Sequence, residues 1–256
     1  MKHILLLILF MSPFILVAQK SIKITYEQKS MYSDAFFNQI PEGSRESFRT
    51  ILAKPSYFEL INNGDYSLFK SINLKEEAVP STEISTKTVI HQGTIFTPLK
   101  VFILKDFSSG ISTECAVIKE KEYYVQKSFS KEALFNDNKS KVIDGYMCKS
   151  AYALNTANDT IRYWYTQDIP VIDGPFSMHD IPGLILSVES KNRIVYATKI
   201  EFFDKKLVLE TIPKNAEFIT KEELVIKRVD ALKAESYTDE FGAKHETHSI
   251  HIKADN

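Results

Sequence analysis

The sequence predicts a mainly β protein with a C-terminal helix, an α+β arrangement in which a curved antiparallel sheet forms a half-barrel or open barrel. Alternation in residues 20–31 puts Ile22, Ile24 and Tyr26 on one face of a strand. Asn63-Gly64 between two apolar runs is a strong signal of a β-hairpin. Such strands with one or two covering helices are typical of an open barrel or a sandwich. The strand-like runs are residues 20–31, 56–61, 66–69, 86–91, 100–105, 114–126, 141–154, 160–166, 184–189, 194–203 and 207–212.

Two segments have the pattern of a helix. Residues 41–54 carry an apolar helical face between two prolines, so we expect a short helix there. Thr220 followed by Glu223 forms a capping box, which predicts a second helix from about residue 221 to 236. The apolar stripe of this second helix must cover a face or an edge of the sheet to be buried.

The N-terminus has the pattern of a secretory signal peptide. A basic start at Lys2 is followed by an almost unbroken apolar run over residues 4–17, which is short for a membrane span. We therefore expect residues 1–18 to be removed. The mature chain, residues 19–256, is predicted to be one β-rich domain with a polar, histidine-containing tail. It has no further apolar run of spanning length, so we expect it to be soluble in the periplasm or outside the cell.

The composition excludes several function classes. The formal net charge is −1, which gives no electrostatic footprint for nucleic acid. Glycine occurs only 8 times, and neither a phosphate loop nor a dinucleotide-binding fingerprint is present. The sequence therefore predicts no nucleic-acid partner and no cofactor.

The chain has two cysteines, Cys115 and Cys148. An even number of cysteines in an exported protein favours a disulfide, and both residues lie in predicted strands that could be neighbours. The alternative is a pair of buried free thiols.

Two Gly/Pro corners stand close together in residues 173–186. Gly174-Pro175 makes the first corner and leaves Phe176 free to enter the core. Pro182-Gly183 suits the central positions of a type II turn, in which the second residue needs a positive φ. The sequence therefore predicts a strand–corner–strand element.

These corners belong to a longer pattern that begins near residue 143. The chain reads Gly145-Tyr146-Met147-Cys148-Lys149, then Tyr163-Trp164-Tyr165-Thr166, and then Asp180-Ile181-Pro182-Gly183-Leu184-Ile185. The order of these pieces resembles the GLPGLI family of exported bacterial proteins. The resemblance implies export and a strand pattern similar to periplasmic lipoprotein carriers, but it brings no activity.

The candidate binding residues lie in this pattern. Trp164 is the only tryptophan, and it shares a strand face with Arg162 and Thr166. The residues that could line a ligand mouth or dock a partner are Trp164, Tyr165, Gly174, Pro175, Phe176, Pro182 and Gly183. The alternative is that these residues only make the strands and corners rigid.

Three histidines recur every third residue near the C-terminus, at His245, His248 and His251. Neutral imidazole binds Zn²⁺ and Cu²⁺, so a tail could wrap these side chains around one ion. The alternative is an ordinary polar tail.

No catalytic motif stands out in the sequence. We therefore expect non-catalytic binding of a hydrophobic or peptide ligand, or of a periplasmic or outer-membrane protein partner. The alternatives are periplasmic metal binding through the three histidines and a hydrolase with an unrecognised site.

Overall fold

The computed structural model describes residues 21–72, 100–131, 133–233, 237–238 and 244–245. The predicted signal peptide and the predicted strand at residues 86–91 lie outside the described residues. The elements in chain order are β1 (Ser21–Ser30), α1 (Asp34–Asn38), α2 (Glu42–Ala53), β2 (Ser56–Asn62), β3 (Tyr66–Ile72), β4 (Phe102–Asp106), β5 (Ile111–Ile118), β6 (Lys121–Ser128), β7 (Phe135–Ile143), β8 (Tyr146–Leu154), β9 (Thr160–Thr166), β10 (Leu184–Glu189), β11 (Arg193–Phe203), α3 (Lys221–Lys233), β12 (Tyr237–Thr238) and β13 (Lys244–His245).

The fold is mainly β, with one open antiparallel sheet and a C-terminal helix, as the sequence predicts. Eleven strands pair in the order β6-β5-β4-β3-β2-β1-β11-β10-β9-β8-β7, and β12 pairs only with β13. Because β6 and β7 stand at opposite ends of that order, the sheet does not close on itself. In the described part of the chain, no helix is long and apolar enough to cross a membrane.

The inner face of the sheet is the face that carries Ile24, Tyr26, Leu60 and Phe69, all of which are fully buried. The register places Ile24 opposite Leu60, and Leu60 opposite Phe69, so their side chains share this face. The opposite face is the outer face. Strict alternation in β1 and β2 therefore divides the two faces cleanly.

The loop between β9 and β10, residues 167–183, fills the inner face. The ring of Phe176 lies 5.0 Å from that of Phe69 and 6.2 Å from that of Phe58. The prediction that Phe176 enters the core is confirmed. The inner face is therefore packed by the chain's own side chains.

The segment from residue 204 to residue 219 covers the outer face of β3 to β6. Leu209 is buried there against Leu68, Phe102 and Tyr124. The backbone of Tyr124 also exchanges two hydrogen bonds with residues 217 and 219, which lie along the free edge of β6. The prediction of a strand at residues 207–212 is wrong, because this segment packs through side chains without pairing in the sheet.

Helix α3 begins where the capping box predicts. The Thr220 backbone N–H donates to Glu223 Oε2 at 2.8 Å, and the Glu223 N–H donates to Thr220 Oγ1 at 3.1 Å. The helix contacts β5 and β6. Its apolar stripe is only partly buried, because Val225 and Val229 remain 53% and 42% exposed.

The predicted disulfide is wrong, because both cysteines are free. Cys115 lies on β5 and Cys148 on β8, and seven strands separate these two strands in the sheet. The spacing of two cysteines along the chain carries no information about this distance. Burial raises the pKa of Cys115 and raises that of Cys148 to about 11, so neither is an activated thiol.

Candidate functional site

Trp164 lies on the outer face at the β7 end of the sheet. The register places it between Ser150 on β8 and Ser187 on β10. Both serines are fully buried, while Trp164 itself is 7% exposed. The large indole ring fills the space that its small neighbours leave. It therefore forms the centre of the outer face at this end of the sheet.

Lys141 covers the indole ring. Its ammonium group lies 4.2 Å from the ring centroid of Trp164 and 2.6 Å from Glu189 Oε1. Burial opposes ionisation of Glu189, but the hydrogen bond from Lys141 and the positive charge of that ammonium group outweigh it and lower the pKa of this carboxyl group. Glu189 is therefore ionised near neutral pH and forms an ion pair with Lys141.

A second charged pair lies beside the first. The Arg162 guanidinium donates to Asp137 Oδ2 from Nε at 3.1 Å and from Nη2 at 3.0 Å. Ser150 Oγ donates to the other carboxylate oxygen of Asp137. The hydrogen bond from Ser150, followed by that from Arg162, lowers the pKa of Asp137. The guanidinium is thus held in a fixed plane near the indole.

Two further aromatic rings extend the surface toward the edge of the sheet. Phe135 on β7 stacks on Tyr152 on β8, with centroids 5.3 Å apart and planes at 27°. Phe135 is 48% exposed. We call this set the Trp164 surface, and its members are Phe135, Asp137, Lys141, Tyr152, Arg162, Trp164, Ser187 and Glu189. It combines flat apolar rings with fixed charged groups.

The sequence pointed to this surface through Trp164 and Arg162. The expected shared face of Trp164, Arg162 and Thr166 agrees with the observed register of β9. Lys141, Glu189 and Asp137 could not be found from the sequence, because their positions depend on which strands are neighbours.

The other predicted binding residues lie in or beside the inner core. Tyr165, Gly174, Pro175 and Gly183 are buried, Phe176 is half-buried and Pro182 is exposed. A Cβ on Gly174 would collide with the Ile185 side chain, and a Cβ on Gly183 would collide with the Thr166 carbonyl. Gly183 has a positive φ of 148°, but its N–H donates to the Ile181 carbonyl at 2.8 Å. The corner is therefore a tighter three-residue turn, and the predicted type II turn is wrong. The binding role of these residues stays a prediction. Their role in packing is shown by the close contacts at Gly174 and Gly183.

A buried ion pair that the sequence analysis missed anchors the β9–β10 loop. Lys105 and Asp173 are in contact, and the side chains of both are fully buried. The Lys105 ammonium also donates to the carbonyl oxygens of Gly174 at 2.9 Å and Met178 at 3.0 Å. Asn62 Nδ2 donates to the second carboxylate oxygen of Asp173 at 2.8 Å. All three ammonium protons therefore have acceptors. A lysine at an inward position of an apolar strand was the available signal.

Two clefts flank the same loop. Neither is a large apolar cavity of the kind that encloses an acyl chain. The larger has a volume of about 260 Å³ and is lined by Ser21, Ile22, Asn62, Gly64, Phe107, Pro170, Val171 and Ile172. The smaller, of about 70 Å³, is lined by Ser112, Lys127, Ser128, Phe129, Ser130, Ser177, Met178, His179 and Asp180.

Two of the three predicted metal ligands lie outside the described residues. His245 ends β13, and His248 and His251 lie outside the described residues. In the described ranges, no three His, Cys, Asp or Glu side chains come close enough to hold a metal ion. The metal site therefore stays a prediction.

Comparison with known protein families shows which family the chain belongs to. The family described as N-glycanase peptide, N-terminal domain matches residues 63–235. The chain belongs to this family. The resemblance to the GLPGLI family is therefore wrong. The motif pieces that suggested it all lie inside the matched range, where they form strands and corners of the N-glycanase peptide N-terminal domain.

Two solved structures of PNGF-II, in space groups P21 and C2, are similar to this chain. Their TM-scores are 0.56 and 0.51, each at 16% sequence identity, over 83% and 85% of this chain. At this identity the likeness shows the fold alone. The aligned part spans 34% of each PNGF-II chain, about a third of its length. No curated protein sequence matches the chain.

Proposed function

We propose that this protein is a non-catalytic binding domain that holds a glycosylated protein or peptide, and that it does so outside the cytoplasm. Membership of the N-glycanase peptide N-terminal domain family supports a glycosylated partner. The signal-peptide pattern of residues 1–18 supports export. Because the matched PNGF-II chains are about three times as long as the aligned part, we assign binding, and not hydrolysis, to this domain.

The observation that carries the proposal is the Trp164 surface. It lies on the outer face of β7 to β10, and it combines the 48% exposed ring of Phe135 with hydrogen-bonded charged groups around the buried indole. Exposed aromatic and arginine side chains dominate the binding energy of many interfaces. The packed inner face argues for a surface site and against a hydrophobic ligand enclosed by the sheet.

The test measures binding of the exported mature chain to an immobilised glycoprotein that carries N-linked glycans. We expect wild type to bind and the double variant Phe135→Ser, Tyr152→Ser to bind at least about tenfold more weakly, because loss of two contact aromatics removes anchoring area. Phe202→Ser is the matched control, since Phe202 is equally exposed, at 47%, but lies on the inner face.

Circular dichroism should show that all variants are folded. The proposal is wrong if wild type binds the glycoprotein no better than a blank surface, or if the double variant binds as well as Phe202→Ser. Release of free glycan from the glycoprotein by the purified chain would favour the hydrolase alternative instead.

A further inference from the structure

We infer that the Trp164 surface binds a neutral sugar ring of an N-linked glycan, which stacks on the indole after Lys141 has moved aside. The inference rests on the proposed function and names the chemical class that its site recognises. Three features support it: the groups around the indole, the space between β7 and β9, and the weak hold on Lys141.

The space exists because β8 carries small side chains on the outer face. Cys148 and Ser150 lie between Lys141 on β7 and Trp164 on β9. Both are fully buried, and neither extends far above the sheet. Lys141 can therefore cross over β8 to reach the ring of Trp164. When Lys141 turns away, its place becomes a groove with the indole as one wall.

Lys141 is a weakly held cover. Its side chain is 36% exposed and that of its partner Glu189 is 29% exposed. Ion pairs with this much exposure contribute little, because water and salt screen them. A ligand that offers comparable contacts to the indole can replace the ammonium group without unfolding any part of the sheet.

A sugar ring matches the groups that Lys141 leaves behind. The face of an aromatic ring carries negative charge, and it attracts the weakly positive C–H groups on the flat face of a pyranose. Sugar hydroxyls both donate and accept, so they suit the Glu189 carboxylate and the Arg162 guanidinium. An apolar ligand would leave the Glu189 carboxylate without the partner that Lys141 provided.

A buried hydroxyl beside the indole lacks a partner. Ser187 lies directly opposite Trp164 on the outer face, and its Oγ has no hydrogen-bond partner among the described residues. Buried polar atoms are nearly always satisfied, so an orphan of this kind needs an explanation. A ligand hydroxyl or a water held by the ligand would supply the missing bond.

The charged members of the Trp164 surface balance, because Lys141 pairs with Glu189 and Arg162 pairs with Asp137. The surface therefore has no excess charge that would favour an ionic ligand over a neutral sugar. The stacked Phe135 and Tyr152 rings lie further along and could accept a second sugar ring.

An intrinsic fluorophore is available to test the inference. Trp164 is the only tryptophan, so tryptophan fluorescence reports this surface alone. A free oligosaccharide released from an N-linked glycoprotein serves as the probe. We expect a saturable change in Trp164 emission. We further expect Lys141→Ala to bind the oligosaccharide several-fold more tightly, because the variant has no ammonium group to displace.

Lys149→Ala is the matched control, since Lys149 lies on the neighbouring strand with its side chain on the other face and bonded to Gln167. Its affinity should equal that of wild type. The inference is overturned if the oligosaccharide causes no saturable change, or if Lys141→Ala binds it no more tightly than Lys149→Ala. If the glycoprotein binds while the free oligosaccharide does not, the sugar site is wrong and the proposed function stands. If neither binds, both fail.

Discussion

The two ends of the sheet are built differently on their outer faces. At the β6 end, residues 204–219 cover the outer face and bond to the edge strand. At the β7 end, the outer face carries the Trp164 surface, where Lys141 of β7 itself lies over the indole ring. One hydrophobic core packs the inner face from β4 to β8.

At the β6 end, the segment over the outer face stabilises the fold. At the β7 end, the outer face carries the Trp164 surface. Leu209 and its neighbours at the β6 end bury apolar area that an open sheet would otherwise expose. At the β7 end, the free edge is protected in another way. The register of β7 slips between Asn136 and Ser140, so Lys139 lies in the bulge and Lys141 follows it. Bulges and lysines discourage pairing with another strand, so they protect this free edge.

The largest expected effect on stability comes from the buried ion pair that joins β4 to the loop between β9 and β10. Lys105 belongs to β4, while Asp173 belongs to the loop between β9 and β10. Lys105→Met would leave a buried carboxylate without its cation, and such losses cost about 3–5 kcal/mol. We expect the free energy of unfolding in urea to fall by that amount in one cooperative transition.

The double variant Lys105→Met, Asp173→Asn should recover part of this loss, because it removes the buried charge as well. A loss below about 1 kcal/mol for Lys105→Met, or two separate unfolding transitions, would show that the ends of the sheet are independent.

An intermediate effect is expected in the cover at the β6 end. Leu209 is 9% exposed, so Leu209→Ala should lower the free energy of unfolding by about 2–3 kcal/mol. Its neighbour Val208 is 94% exposed, and Val208→Ala should change stability by less than about 0.5 kcal/mol. Thermal denaturation of both variants measures the contrast. Equal effects would mean that the cover does not pack as described.

The smallest effect is expected at the β7 end. Glu189→Gln removes a partly exposed ion pair, so the loss of stability should stay below about 1 kcal/mol. The pKa of Glu189 is lowered in the folded protein, so its contribution is present above the ordinary value of 4.5. The difference between wild type and variant should therefore be full at pH 7 and shrink as the pH falls below about 4.5. A difference that grows in acid would contradict this assignment.

Much of the secondary structure could be predicted, because it depends on neighbours along the chain. The alternation of β1, the Asn63-Gly64 hairpin and the capping box at Thr220 are all present as expected. The run predicted at residues 114–126 is instead two strands, joined by a turn in which Lys119 and Glu120 take positive φ values. Non-glycine residues rarely adopt such values, so the turn left no clear signal.

The candidate site could be predicted only in the two residues that share one strand, Trp164 and Arg162. Trp164 stood out as the single tryptophan on a mixed strand face. Lys141 lies two strands away from it, and Glu189 belongs to the neighbouring strand on the other side. Strand order is set by packing of the whole sheet, so contacts across it do not appear as a spacing in the sequence.

The sequence by itself determined the local structure of this protein. Alternating apolar residues made strands, and glycines at positive φ made corners, because these preferences act over a few residues. Only the tertiary structure decided which side chains meet. It separated the two cysteines by seven strands, brought Lys105 to Asp173, and placed Lys141 over Trp164. Those contacts join distant parts of the chain, and their energy is gained only once the sheet has assembled.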